Sequence, residues 1–358
     1  MSAQGDSIEE LLLKQSYGEY RPTAPLGRGF FGFVFSGQPN DRRPAVAIKV
    51  LNPFKGDPTA GVEFDDEGHM LRKLAGCSAV VRLEASGAVE LPVQVHGLTV
   101  QLPVKYHVLE QAEGCLAEYI EDDSVRDRLP WTNRLRLWRG VVLGVHQMHL
   151  RKCAHRDIKC GNALLFPGPD KRLTCKVADL GRARDFSLPP RHTPEYYMNG
   201  RGDLRFAAPE HLTWQGRDDW ESYQLADIYG LGSLLYELVM GHSITTAALG
   251  PSRGVIDATR RDAMQGRFAD LGSMRPRFNS AIEMLSMNAP PALRDRLSTL
   301  MNQICSPVPR DRLPRIRLGQ RGYTGSGLLW LLNQVDILAK IASLQDRRPR
   351  YRAGKAKS

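Results

Sequence analysis

Three features of the chain predict an α+β fold in two lobes. Short strand-like runs crowd the region before Gly114, long helical periodicities crowd the region after it, and the two kinds of segment do not alternate as βαβ units do. At 358 residues the chain is long enough for two lobes, each with a core. Hydrophobic residues at 42% and charged residues at 25% exclude disordered and fibrous classes.

The elements follow in order. Residues 1–20 are read as an N-terminal extension whose apolar patch, Ile8 and Leu11–Leu13, suits one or two helical turns. From Arg21 to Gln111 the β-branched and aromatic runs are 31–35, 45–51, 80–83, 93–95, 98–102 and 106–109. One helix interrupts them between Val62 and Leu74, with Phe64, Met70, Leu71 and Leu74 at helical spacing and Arg72 and Lys73 at its end, as the helix dipole prefers. Helices are expected at Trp131–Leu150, Leu225–Met240 and Leu328–Leu344. The last is amphipathic and is expected to pack on the helical lobe. Segments 185–205 and 247–292 lack clean periodicity and read as long loops with short helices.

The net charge is +10, from 49 basic and 39 acidic residues, which favours acidic partners such as nucleotides, nucleic acid or anionic lipid. Part of the excess is local. After Asp346 come Arg347, Arg348, Arg350, Arg352, Lys355 and Lys357 with no acid, so residues 346–358 read as a basic, disordered tail able to touch nucleic acid or an anionic surface weakly. The six cysteines form no CxxC pair, which points to a reducing compartment. Met1–Glu10 carries acids and no apolar core, unlike a secretory signal, and no uncharged apolar run reaches the length of a membrane span. A soluble, cytoplasmic protein is expected; oligomeric state is not legible.

The densest chemistry lies in His155-Arg156-Asp157-Ile158-Lys159-Cys160-Gly161-Asn162. Asp157 can accept a hydroxyl proton, Lys159 can face a transferring phosphate, and the Asn162 amide can hold a divalent cation. Alone, such a charged triplet is as easily a solvated loop. Upstream, Leu26-Gly27-Arg28-Gly29-Phe30-Phe31-Gly32-Phe33-Val34 continues as a strand after its last glycine, so it suits a glycine hairpin over phosphates better than a Rossmann turn. Lys49 stands in mid-strand in Val46-Ala47-Ile48-Lys49-Val50 and needs an anion if buried. Glu67 shares the face of Leu71 and Leu74 and is its best-placed carboxylate, with Glu63 second. Asp179, followed by Leu180-Gly181, can reach a hard cation with Asn162. Glu210, in Ala208-Pro209-Glu210, is expected to pair with Arg312.

In identity, order and spacing these motifs resemble those of eukaryotic-type protein kinases of the serine/threonine branch, from about Leu26 to Arg312. The resemblance implies a protein-kinase-like two-lobed fold over residues 21–345: a small antiparallel-sheet lobe with one main helix (about 21–111), and a larger, mainly helical lobe (about 112–345). It implies ATP and Mg²⁺ as cofactors and a protein Ser/Thr hydroxyl as acceptor. Asp157, Lys159, Lys49 and Glu67 are then catalytic, with Asp157 as base and Lys49–Glu67 as the activating pair. Asn162 and Asp179 are the metal ligands. The nucleotide is held by Leu26, Gly27, Arg28, Gly29, Phe30, Phe31, Gly32, Val34, Ala47, Lys49, Glu110 and Ala112, with Leu109 as gatekeeper. Asp227 resembles the buried aspartate that anchors the catalytic loop. Arg156 beside Asp157 implies activation-loop phosphorylation, for which Thr193 leads Ser187, Tyr196 and Tyr197.

The chain departs from the pattern at Leu180, where Phe is commoner, and at Asp203, where serine/threonine kinases usually have Thr. An acid at Asp203 could pair with Lys159, and with the irregular segment 247–292 it leaves a phosphotransferase with a non-protein acceptor as one alternative; a catalytically silent scaffold is the other, although no catalytic residue is missing.

Overall fold

A computed structural model describes residues 8–29, 32–54, 58–95, 98–168, 170–193, 203–250, 253–317, 320–322 and 327–355. The chain divides into two compact units, one made of the chain to Glu113 with Asp179–Gly181, the other of Gly114–Ala178 with the chain from Arg182. The fold class is the predicted one: an antiparallel-sheet unit with one main helix and a mainly helical unit.

The first unit holds helix α1 (Ile8–Leu13), strands β1 (Tyr20–Arg28), β2 (Gly32–Pro39) and β3 (Val46–Leu51), helix α2 (Pro58–Lys73), and strands β4 (Leu83–Val95) and β5 (Leu98–Glu110). The sheet is antiparallel throughout, in the order β1-β2-β3-β5-β4. Alternation along the strands makes it two-faced. Phe33, Phe35, Val46, Ile48, Val50, Val104, Tyr106 and Val108 form one buried face, which Leu12 and Tyr17 cover. Tyr17 donates to the Leu12 carbonyl at 2.9 Å and meets the Tyr106 ring edge-on at 5.2 Å. The N-terminal segment read as an extension is therefore part of this unit's core from Leu12 onward. Val34, Lys49 and His107 fall on the other face by the same period, and α2 packs there.

The second unit is built on two long helices. Helices α3 (Glu118–Glu121) and α4 (Asp123–Arg128) precede α5 (Trp131–Leu150), and the short α6 (Pro209–Leu212) precedes α7 (Trp220–Met240). The indole N–H of Trp138 on α5 donates to the Leu231 carbonyl on α7 at 2.8 Å. Asp219 caps α7 by accepting from the Ser222 N–H at 2.8 Å, and Gly241 closes it at φ 80°, a left-handed angle that glycine adopts without strain. Strands β6 (Gly114–Cys115), β8 (Ala163–Pro167) and β9 (Leu173–Val177) form a small sheet, and β7 (Cys153–Ala154) pairs with β10 (Arg184–Asp185).

Two expectations need correction. Segment 247–292 is mostly helical, with α8 (Ile244–Leu249), α9 (Arg253–Met264) and α10 (Arg275–Met287), followed by α11 (Pro291–Ile304). Its period was masked because α10 buries only a narrow stripe, Phe278, Ala281, Ile282 and Leu285, while Val255 and Met264 on α9 lie exposed. The last helix, α12 (Leu329–Lys355), buries Leu331, Leu332, Val335, Leu338 and Ala342 and runs on past Asp346, where the sequence reading placed a disordered tail. It packs on the helical unit, tied to α5 by Arg139 and Asp336 at 2.5 Å.

Candidate active site

In the sheet unit a cation stands between two acids. Lys49 Nζ lies 2.6 Å from Glu67 Oε2 and 3.2 Å from Asp179 Oδ1. Strand alternation aims Lys49 toward α2, and Glu67 projects from that helix, its side chain 3% exposed. Burial opposes the charge on Lys49, but Asp179 and Glu67 outweigh it and hold the ammonium above its usual range. Burial pushes Glu67 upward, with Lys49 pulling the other way. Asp179 adopts a left-handed φ of 58°, strain that an aspartate tolerates better than most residues.

The glycine hairpin is closed by Gly29 N–H donating to the Gly32 carbonyl at 2.9 Å. A Cβ at Gly32 would stand 2.0 Å from the Val50 carbonyl oxygen, so only glycine fits there. Arg28 turns back and pairs with Glu9 on α1. Leu26 and Gly27 lie on β1, Val34 lies opposite Lys49, and Ala47 lies opposite Leu109. Glu110 spends its carboxylate on the Arg82 N–H at 2.9 Å, and Ala112 is half-buried. Phe30 and Phe31 lie outside the described residues.

In the helical unit the motif from His155 is a pinned loop. Asp227, on α7 and 1% exposed, accepts from the backbone N–H groups of His155 and Arg156 at 2.8 Å each and from His149 Nε2 at 2.9 Å. Burial opposes its charge, yet His149, His155 and the Arg156 N–H together hold its pKa below the usual carboxylate range. Asp157 follows with three donors on one oxygen: Asn162 Nδ2 at 3.1 Å, Lys159 Nζ at 3.2 Å and Arg182 Nη1 at 3.4 Å. Asn162 also donates to the Asp157 carbonyl at 2.8 Å, and Glu237 accepts from the Cys160 N–H at 2.8 Å. The loop is therefore held chiefly through its own backbone.

Arg182, Glu237 and His149 escaped sequence reasoning, because isolated charges on distant segments carry no spacing signal. Arg156 is engaged by the Arg182 carbonyl at 2.9 Å and lies 4.7 Å from the Tyr223 ring centroid. Asp203 does not pair with Lys159. It meets Arg205, two residues on, through that residue's backbone N–H at 3.1 Å and Nε at 2.9 Å, since a local turn closes at less entropic cost than a distant pair. Its carboxyl is held low by Arg205 despite burial, with Lys159 contributing from further away. Ser187 donates to Asp185 at 2.7 Å; Tyr196 and Tyr197 lie outside the described residues. Glu210 and Arg312 form a doubly hydrogen-bonded pair at 2.6 and 2.7 Å, both fully buried.

The sequence pattern of the protein kinase domain matches residues 20–321. Among curated relatives, a G-type lectin S-receptor-like serine/threonine-protein kinase of Arabidopsis thaliana is 28% identical over 232 residues, covering 63% of this chain and 25% of the relative. A cysteine-rich receptor-like protein kinase of the same plant is 28% identical over 248 residues, covering 66% of this chain and 33% of the relative. The chain thus spans a quarter to a third of the length of these relatives. Among the described residues no helix is long and apolar enough to cross a membrane. With its matched region covering most of the chain, and with the two-unit fold and motif geometry above, the chain belongs to the protein kinase family.

Proposed function

We propose that the chain is an ATP- and Mg²⁺-dependent serine/threonine protein kinase. The observation that carries this reading is Asp157: one carboxylate oxygen gathers Lys159, Asn162 and Arg182, which fixes the carboxylate beside a cation rather than leaving it in solvent. The residues present suit the cofactor. Asn162 turns its amide nitrogen toward Asp157, which leaves the amide oxygen as its cation ligand, and Asp179 keeps a side chain 35% exposed although it touches Lys49. When bound, Mg²⁺–ATP supplies the phosphoryl group and part of the charge neutralisation.

The chain's own residues do the rest. Asp157 accepts the proton of the Ser or Thr hydroxyl as its oxygen bonds to phosphorus, and the bond to the departing nucleotide breaks. Lys159 neutralises charge on the phosphoryl oxygens, and Lys49, oriented by Glu67, binds the nucleotide's phosphates. The serine/threonine acceptor is favoured by Lys159 two places after Asp157 and by the names of the relatives. Activation-loop phosphorylation at Thr193 fits Arg156 beside the base. A cytoplasmic site of action fits six cysteines, none in a disulfide.

The test is mass spectrometry of the protein incubated with ATP and Mg²⁺, alone and with a generic basic protein. Phosphate on Ser or Thr that disappears in Asp157→Ala is the expected result. Its absence from every protein present would overturn the proposal.

A further inference from the structure

Helix α2 carries Gly68 directly after Glu67, in the interior of its 16 residues. Glycine in a helix interior is less favourable than alanine, so some contact must require it. That contact is on β5. A Cβ at Gly68 would stand 2.6 Å from the ring of His107.

His107 is 5% exposed and lies directly opposite Lys49 in the β3–β5 register. Its ring stacks on Phe64 of α2, with centroids 4.1 Å apart and planes 8° from parallel. Its Nε2 lies 2.9 Å from the Phe64 carbonyl oxygen; a carbonyl only accepts, so Nε2 carries the hydrogen. Nδ1 is buried with no hydrogen-bond partner among the described residues, so a second proton there would have no acceptor, and the ring is the neutral Nε2–H tautomer. Burial drives the imidazole pKa down to about 4; of the charged groups facing it, Lys49 from β3 and Arg72 from α2 lower it further and Asp65 from α2 raises it.

We infer that His107 is the positioning residue for helix α2: its ring against Gly68 and its hydrogen bond to Phe64 fix the helix at the height and rotation that bring Glu67 to Lys49. Phe64 and Glu67 are three residues apart and so share a helix face. His107 and Lys49 are cross-strand neighbours on one sheet face. One side chain therefore gauges the helix at the place where the ion pair must close. The inference rests on reading Lys49 and Glu67 as the activating pair of a kinase, and it adds a residue pair, His107 and Gly68, that no catalytic motif contains.

The test compares the full chain with Gly68→Ala, His107→Ala, the double variant and His107→Phe. It reads kcat and KM for ATP on a generic basic protein, and separately the hydrogen exchange of α2 amides. Gly68→Ala and His107→Ala are each expected to lower kcat about tenfold and to speed α2 exchange. The double variant is expected to be no worse than His107→Ala, because the new methyl enters the space the ring has left. His107→Phe, which keeps the stack and loses the hydrogen bond, should fall between. Losses that multiply in the double variant, or single variants with full activity and unchanged α2 exchange, would sink the inference. If even the unaltered protein transfers no phosphate, the proposed function fails, while the exchange data still decide the role of His107.

Discussion

The two charged clusters are built on opposite plans. Around Asp157 two of the three donors come from within five residues, Arg182 is the third, and the loop's backbone N–H groups are gripped by two buried carboxylates, Asp227 and Glu237. Around Lys49 the two acids come from different elements: Glu67 from α2, and Asp179 from a segment 130 residues away in sequence. Backbone grips leave the first cluster almost no side-chain freedom. Side chains meeting across elements make the second depend on where α2 sits. The helical unit thus carries a rigidly held cluster and the sheet unit an adjustable one.

Breaking the grip should give the largest effect. Asp227→Ala strands three buried donors, and it is expected to cost about 3–5 kcal/mol in a urea melt of the whole protein. A loss below 1 kcal/mol would mean that the loop holds itself and the contrast is wrong.

Acid should test the adjustable cluster next. His107 is neutral when folded, with its pKa near 4, but takes up a proton near the ordinary 6.5 when unfolded. Below 6.5 the unfolded state binds the extra proton, so stability falls as pH drops toward 4, on the order of 3 kcal/mol in all. His107→Leu should show a flatter stability profile over that interval. Equal slopes would place the acid sensitivity elsewhere.

Glu67→Gln should sharpen the comparison by separating activity from stability. Lys49 keeps Asp179, so the melt is expected to stay within about 1 kcal/mol while kcat/KM falls about a hundredfold. If stability fell as far as activity, the pair would be a structural strut. The smallest effect belongs to Arg28 and Glu9, whose side chains are 69% and 23% exposed. Glu9→Gln should change stability by less than about 1 kcal/mol, and any change should vanish in high salt.

Much of this was legible in advance for a physical reason. Glycines, a mid-strand lysine and clustered charges leave signatures at short spacing, so β2, β3, α2, the His155–Asn162 loop and the Glu210–Arg312 pair could be read from the chain. Strand β1 could not, because Pro22 and Pro25 argue against a strand; at the sheet's edge they go unpunished. Helix α10 hid behind a stripe only four buried apolar residues wide. Arg182 reached Asp157 by a chain path that no spacing rule encodes, and Asp203 turned to Arg205 because a neighbour two residues on closes a local turn.

By itself the sequence determined which groups are present and which neighbours hold them locally, since hydrogen bonds within a loop and periodicities of 2 and 3.6 are properties of adjacent residues. Only the tertiary structure decided that a histidine in β5 and a glycine in α2 belong together. Their complementarity is one of volume, an imidazole seated where a side chain is missing, and volume is matched only when two distant segments are packed in contact.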